Sequence, residues 1–298
     1  MKISSSSRLA GVVLIVISAA SYGTLGIFAQ LAYGDGLDVP TLLFLRFGIA
    51  TAIMCVLLLL WRQPLPFGKT LGGLIGMGAV VYVGQSYCYL SAVKYASPGL
   101  AALLLYLYPA FVFILSALFL REKITLLKGC ALALALLGAA LTANPQGGSW
   151  AGVLLAISAA VIYAVYIIVG TGVMKGVPAA PSSAVILASA AVVYGVFAAV
   201  SGPHWPTTRA GWLAVMGIAV VSTVIPVGTF LAGLKRVGPT DASMLSTLEP
   251  VVTVVLAAQV LGERLRPLSL VGGALILAAV LLLAQSELRR ARAEAASG

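Results

Sequence analysis

The sequence predicts an all-α integral membrane protein with ten transmembrane helices arranged as two inverted five-helix repeats. Three features carry this prediction. Only 9% of the 298 residues are charged and 61% are hydrophobic, whereas a soluble domain needs roughly a quarter charged residues to meet water. Apolar runs of membrane-crossing length follow one another along the whole chain. The second half repeats short patterns of the first at a nearly constant offset.

The excluded classes follow from the same features. The mean hydropathy of +1.10 requires lipid as the solvent for much of the surface. The net charge of +10 resides mostly in short gaps between apolar runs. That distribution belongs to membrane topology and argues against a nucleic-acid surface. Cys55, Cys88 and Cys130 each lie in an apolar run without ligand-like spacing, so neither a disulfide framework nor a metal site is expected. The first run is too long for a signal peptide and is read as a span. Gly68-Lys69-Thr70 resembles the tail of a phosphate loop, but Gln63 stands where its first glycine belongs, so ATP drive is not expected.

A helix rises ~1.5 Å per residue, so crossing the hydrocarbon takes about 20 residues. The runs that qualify are 9–32, 39–61, 70–93, 97–120, 125–142, 149–173, 181–201, 209–234, 240–262 and 267–286. Trp61 closes the second, Trp150 opens the sixth, and Trp205 and Trp212 flank the start of the eighth. Indole prefers this membrane–water boundary. Arg46, Lys128 and Glu249 stand out as charges within the runs, with Lys128 near a helix end and expected to snorkel to the headgroups. With the N-terminus inside, thirteen lysines and arginines fall on the cytoplasmic side and four outside. Both termini are therefore expected in the cytoplasm, the bias being weaker in the second half.

The repeat offset is about 141 residues. Ala10-Gly11-Val12 returns as Ala151-Gly152-Val153, Lys94 and Pro98 as Lys235 and Pro239, Tyr108-Pro109 as Glu249-Pro250, and Leu120 and Glu122 as Leu261 and Glu263. The units predicted are 1–145 and 146–298. Five spans per unit turn the second unit over in the membrane, the arrangement many carriers use to expose one site alternately to two sides.

Pro109 with Leu120-Arg121-Glu122, and Pro250 with Leu261-Gly262-Glu263, place a proline in the fourth span of each unit and a Leu-x-Glu at its end. In these features the chain resembles the EamA-type branch of the drug/metabolite transporter superfamily over nearly its whole length. The resemblance implies a secondary transporter, not an enzyme, that exports amino acids or similar small metabolites across the cell (inner) membrane. Its partners would be a small-molecule substrate and lipid, with no cofactor, no nucleic acid and a single chain as the working unit.

Polar groups in hydrocarbon need a partner or water. Gly78, Tyr82, Gln85 and Tyr89 share one helical stripe by spacing, as do Tyr163, Tyr166 and Gly170, while Ser246 and Glu249 share an arc with Ser243 and Thr253. Tyr22 clusters with Ser18 and Ser21. Tyr22, Tyr82, Gln85, Tyr89, Tyr163, Tyr166, Ser246 and Glu249 are accordingly the substrate-binding candidates. An aromatic wall can hold an ammonium by cation–π attraction, and Glu249 can bind an amine or a proton. The alternative for all of them is helix packing, which is also the role expected of Gly72-x-x-x-Gly76. Arg46, Pro109, Glu122, Pro250 and Glu263 are the gating or structural candidates. Carriers of sugar phosphates, nucleotide sugars or drugs are competing readings. Phosphate would call for cations deep in the central spans. A membrane enzyme on lipid-linked substrates would need an acid–base or metal constellation, which the sequence does not display.

Overall fold

A computed structural model describes residues 5–95, 104–121, 125–142, 149–260 and 267–296, and among them every regular element is helical. The described helices form ten rods. The first consists of α1 (Ser5–Tyr22) and α2 (Leu25–Gly34), broken at Gly23 and Thr24; the second is α3 (Val39–Leu60). The third joins α4 (Lys69–Gly76) to α5 (Val83–Tyr95) through a π-helical turn, Met77–Tyr82. Next come α6 (Tyr108–Phe119) and α7 (Leu126–Thr142). The second half opens with α8 (Trp150–Val173) and α9 (Ala179–Ser201). Its third rod joins α10 (Arg209–Ala219) to α11 (Ile225–Val237) through another π-helical turn, Val220–Val224. The ninth rod is α12 (Pro239–Leu245), a 3-10 turn (Ser246–Leu248) and α13 (Glu249–Val260), and the tenth is α14 (Pro267–Ala296).

Local chemistry explains several of these boundaries. Ser149 and Thr208 cap α8 and α10, their hydroxyls accepting from the N–H of Gly152 at 3.2 Å and of Gly211 at 3.0 Å. Prolines fall in the first turns of α3, α6 and α12, where a missing N–H costs little. Six helices are long and apolar enough to cross a membrane, and Tyr108–Phe119, Leu126–Leu141 and Leu270–Leu282 are shorter apolar helices. Large apolar side chains cover the outside: Leu59, Leu126, Trp150 and Val200 are each more than three-quarters exposed. Buried serines and threonines such as Thr41, Ser182, Ser222 and Thr223 lie inside. This arrangement suits lipid as the solvent.

The rods pair across the two halves. The first packs on the eighth and the third on the sixth; the second packs on the seventh, the fourth on the ninth and the fifth on the tenth. Exchanging the halves maps the first of these pairings onto the second and each of the others onto itself. The result is a two-repeat membrane fold in which the halves interlock through equivalent surfaces.

Two expectations change. Lys128 does not snorkel: it is buried, with its Nζ 2.6 Å from Oδ1 of Asp241, which is also buried. The pairing is tertiary, since Asp241 belongs to α12 and Lys128 to α7. Gly72 and Gly76 do not form the expected helix contact, because nothing approaches within 4 Å of where a Cβ on either would lie. Close approach occurs instead one and two residues further on. A Cβ on Gly73 would lie 2.9 Å from Val173, and one on Gly78 would overlap the Ile186 carbonyl. Glu122 and Glu263 lie outside the described residues.

Candidate functional site

Interruptions in four rods come together. The Gly23–Thr24 break in the first rod meets the ninth where α13 begins, Thr253 Oγ1 donating to the Gly23 carbonyl at 3.0 Å. A Cβ on Gly23 would lie 2.8 Å from Val252 and 3.0 Å from the Glu249 carbonyl, so this approach requires glycine. Thr24 Oγ1 lies 2.7 Å from Ser222 Oγ in the second π-turn, and Ser18 Oγ donates to the Pro226 carbonyl at 2.9 Å. π-turns insert an extra residue into a helix and recur at functional sites. Here each repeat carries one in its third span.

The second span of each repeat reaches the end of the opposite π-turn. Tyr194 of α9 donates its hydroxyl to the Val83 carbonyl at 3.2 Å. Arg46 of α3 donates from Nε to Thr223 Oγ1 at 2.7 Å and from Nη2 toward the Ser222 carbonyl at 3.4 Å. Pro226 has no N–H to offer the carbonyl four residues back, which is that of Ser222. Thr223 Oγ1 in turn donates to the Ile218 carbonyl at 2.8 Å.

Aromatic rings fill the space between these breaks. Tyr82 stacks on Tyr166 with centroids 5.5 Å apart, and Tyr166 on Tyr163 at 6.0 Å. Tyr163 meets Tyr108 edge-on at 4.7 Å and Phe230 at 6.5 Å. Phe47 joins Tyr82 at 5.4 Å and Tyr194 at 5.6 Å. Tyr22 lies within electrostatic reach of Tyr82 and Tyr163. Tyr82, Tyr108 and Tyr166 are buried, while Tyr22, Tyr106, Tyr163 and Glu249 keep partial exposure. The rings therefore wall a recess instead of closing a solid core.

Two charges serve this recess. Glu249, the first residue of α13, stands within electrostatic reach of Tyr106, Tyr108 and Tyr163. The Arg46 guanidinium lies 5.0 Å from the centroid of the Phe47 ring and interacts electrostatically with both Glu249 and Tyr22. Arg46 and Glu249 do not touch as an ion pair.

The structure brings together Tyr22, Tyr82, Tyr163, Tyr166 and Glu249, with Arg46 beside them. The stripe predicted on the third span is not gathered whole. The π-turn Met77–Tyr82 shifts the helical phase between Gly78 and Tyr82, whereas Tyr82, Gln85 and Tyr89 keep one phase but lie at successive levels along the rod. Tyr89 packs in a separate small cluster with Ala92, Ala156, Leu104 and Leu155, although it still feels the charge of Glu249. Gln85 is half-buried beside Ser86, whose hydroxyl lies 3.4 Å from its carbonyl oxygen. Ser246 is buried and donates to the Ala242 carbonyl at 2.9 Å. Pro109 is buried at the start of α6, and Pro250 follows Glu249 in the first turn of α13.

Sequence reasoning missed Tyr106, Tyr108, Phe47, Phe230 and Thr223. One signal pointed to Tyr108: it occupies the repeat position of Glu249, each followed by proline. Its hydroxyl donates to the Ser243 carbonyl at 3.3 Å, bridging the fourth and ninth rods.

Ten interlocked apolar rods around a partly open aromatic and charged recess define a multi-pass membrane protein. Its relatives agree. The EamA-like transporter family matches residues 9–144 and 150–285, once per repeat, and the chain belongs to that family. It is a transporter and not an enzyme. An uncharacterized transporter of Archaeoglobus fulgidus is 31% identical over 278 residues, covering 91% of this chain and 95% of the relative. The aromatic amino acid exporter YddG of Ancylobacter novellus is 27% identical over 242 residues, covering 78% of this chain and 74% of the exporter. A crystal structure shares the fold with a TM-score of 0.79 at 23% identity, covering 94% of this chain and 96% of that one.

Proposed function

We propose that the protein exports amino acids or closely similar small metabolites across the cytoplasmic membrane by alternating access. The observation that carries this reading is Glu249. A carboxyl group at a break in the ninth rod, with Tyr106, Tyr108 and Tyr163 around it, is suited to an ammonium group. The neighbouring ring faces add cation–π attraction and an apolar surface for a side chain. The amino-acid exporter among the relatives supports the same substrate class.

In this proposal the halves 1–145 and 146–298 rock against each other about the recess, with both termini in the cytoplasm. The interruptions at Gly23–Thr24, the two π-turns and Ser246–Leu248 are the flexible points, because backbone away from regular helix is tolerated at membrane depth where it lines a cavity. One chain encloses the whole recess, so a second copy is not required.

Counterflow in liposomes containing the purified full-length chain, against a panel of amino acids, tests the proposal. Saturable exchange of amino acids is expected. If other organic solutes exchange and no amino acid does, the substrate class is wrong.

A further inference from the structure

We infer that Arg46 takes the carboxylate of the transported solute while Glu249 takes its ammonium, so that the pair selects zwitterionic α-amino acids over their amines and esters. This rests on the export reading above and adds the groups that recognise and refuse.

Arg46 is only 8% exposed. A guanidinium carries five N–H donors and cannot lose its charge in a protein. One donor goes to Thr223 and another to the Ser222 carbonyl. Among the described residues no further acceptor bonds the remaining three. Tying α3 to the π-turn uses one side of the guanidinium. The other side is left with unused donors on the flank of the recess, above Phe47. Unbonded donors of a buried cation are costly unless a ligand or water meets them.

The second observation is the separation of the charges. Buried opposite charges gain by direct contact, because their attraction must repay their lost hydration. Arg46 and Glu249 sense each other without forming an ion pair. Arg46 is held by Thr223, and Glu249 is placed by the break that precedes α13 in the ninth rod. Tyr22 stands near Arg46 and Tyr163 near Glu249, and the ring cluster joins the two. A cation and a carboxyl group set apart in this way are complementary to a molecule with both charges on one carbon. Such a solute neutralises both. An amine or ester would satisfy Glu249 and leave Arg46 without its counter-charge.

The test uses the full chain in liposomes, exchanging the best-carried amino acid of the panel against that amino acid, its methyl ester and its decarboxylated amine. In the wild type, ester and amine should compete roughly 10- to 100-fold more weakly, the loss expected for a charge-assisted hydrogen bond. In Arg46→Gln the amino acid should weaken by that factor while the amine does not, so the preference collapses; Arg46→Lys should retain part of it. If ester and amine compete as well as the amino acid in the wild type, the inference is overturned. It is equally overturned if Arg46→Gln lowers exchange of amino acid and amine alike. Should Arg46→Gln fail to fold, the wild-type series decides, together with Thr223→Val, which removes the Nε anchor and should narrow the preference. If no amino acid is exchanged at all, the export reading falls and takes this one with it. Exchange without discrimination overturns this inference alone.

Discussion

Lys128 Nζ stands 2.6 Å from Asp241 Oδ1, both side chains almost wholly buried. The contact joins α7 to the first turn of α12 and fixes the fifth rod against the ninth. The segment Pro239–Leu245 around Asp241 is buried throughout, so neither charge has a ready route to water.

Removing one partner should leave an uncompensated buried charge. Lys128→Ala or Asp241→Ala is expected to cost about 3–5 kcal/mol, whereas replacing both together by Met and Leu should cost far less. Thermal unfolding in detergent measures this. Equal losses for the single and double variants would show that the pair is not the source of the effect.

Close helix contacts should be sensitive at particular glycines. A Cβ on Gly138 would lie 2.6 Å from the Gly272 carbonyl, where α7 meets α14, and backbone yields little. Gly138→Val is expected to destabilise by about 1–3 kcal/mol through overpacking. Gly76→Ala, with open space around its Cβ position, should be neutral or stabilise by up to about 1 kcal/mol, since alanine is the better helix former. A comparison of melting temperatures separates the two, and similar behaviour of both variants would contradict the contact geometry.

The link between the first and second rods carries a pH-dependent clasp. Asp35 Oδ2 accepts from the Thr208 N–H at 3.1 Å and the Thr207 N–H at 2.8 Å, and Oδ1 from the Thr207 hydroxyl at 3.1 Å. These bonds, the Thr208 N–H foremost, hold the carboxyl below the ordinary aspartate value of 3.8. A depressed pKa contributes stability that is present above the ordinary value and is lost as pH falls through the folded one. Melting measured from about pH 6 down to about pH 3 should show an acid-side loss that is smaller in Asp35→Asn. Identical pH profiles would argue that the clasp contributes nothing.

Glu249 is the acidic group of the proposed site. Glu249→Gln keeps the shape and removes the charge, so its loss should be larger for amine-bearing solutes than for neutral ones. Unchanged counterflow in Glu249→Gln would remove Glu249 from any active role.

Much of the fold was legible in the sequence because its causes are local. A run of apolar residues long enough to cross lipid declares a span wherever it stands, and scarcity of charge makes lipid the solvent. The paired motifs around Pro109 and Pro250 were visible because two copies of one unit sit on a single chain. The tyrosines of the first, third and sixth spans, and Glu249, were identifiable as polar groups that hydrocarbon would not tolerate alone.

Only the tertiary structure decided which of those groups meet. Tyr82 stacks on Tyr166, while Tyr89, about two turns further along the same rod, joins Ala92 and Ala156. Periodicity puts both on one face of a helix but does not say which neighbouring side chains meet each level of that face. Lys128 looked free to reach the headgroups until Asp241, more than a hundred residues away, came within bonding distance. Arg46 shows the same division. The sequence by itself placed one cation two turns into the second span; Thr223 and the carbonyl of Ser222 gave it a direction. Spans and halves follow from composition along the chain, whereas the site is made by contacts between rods, which pack by shape and leave no local pattern to read.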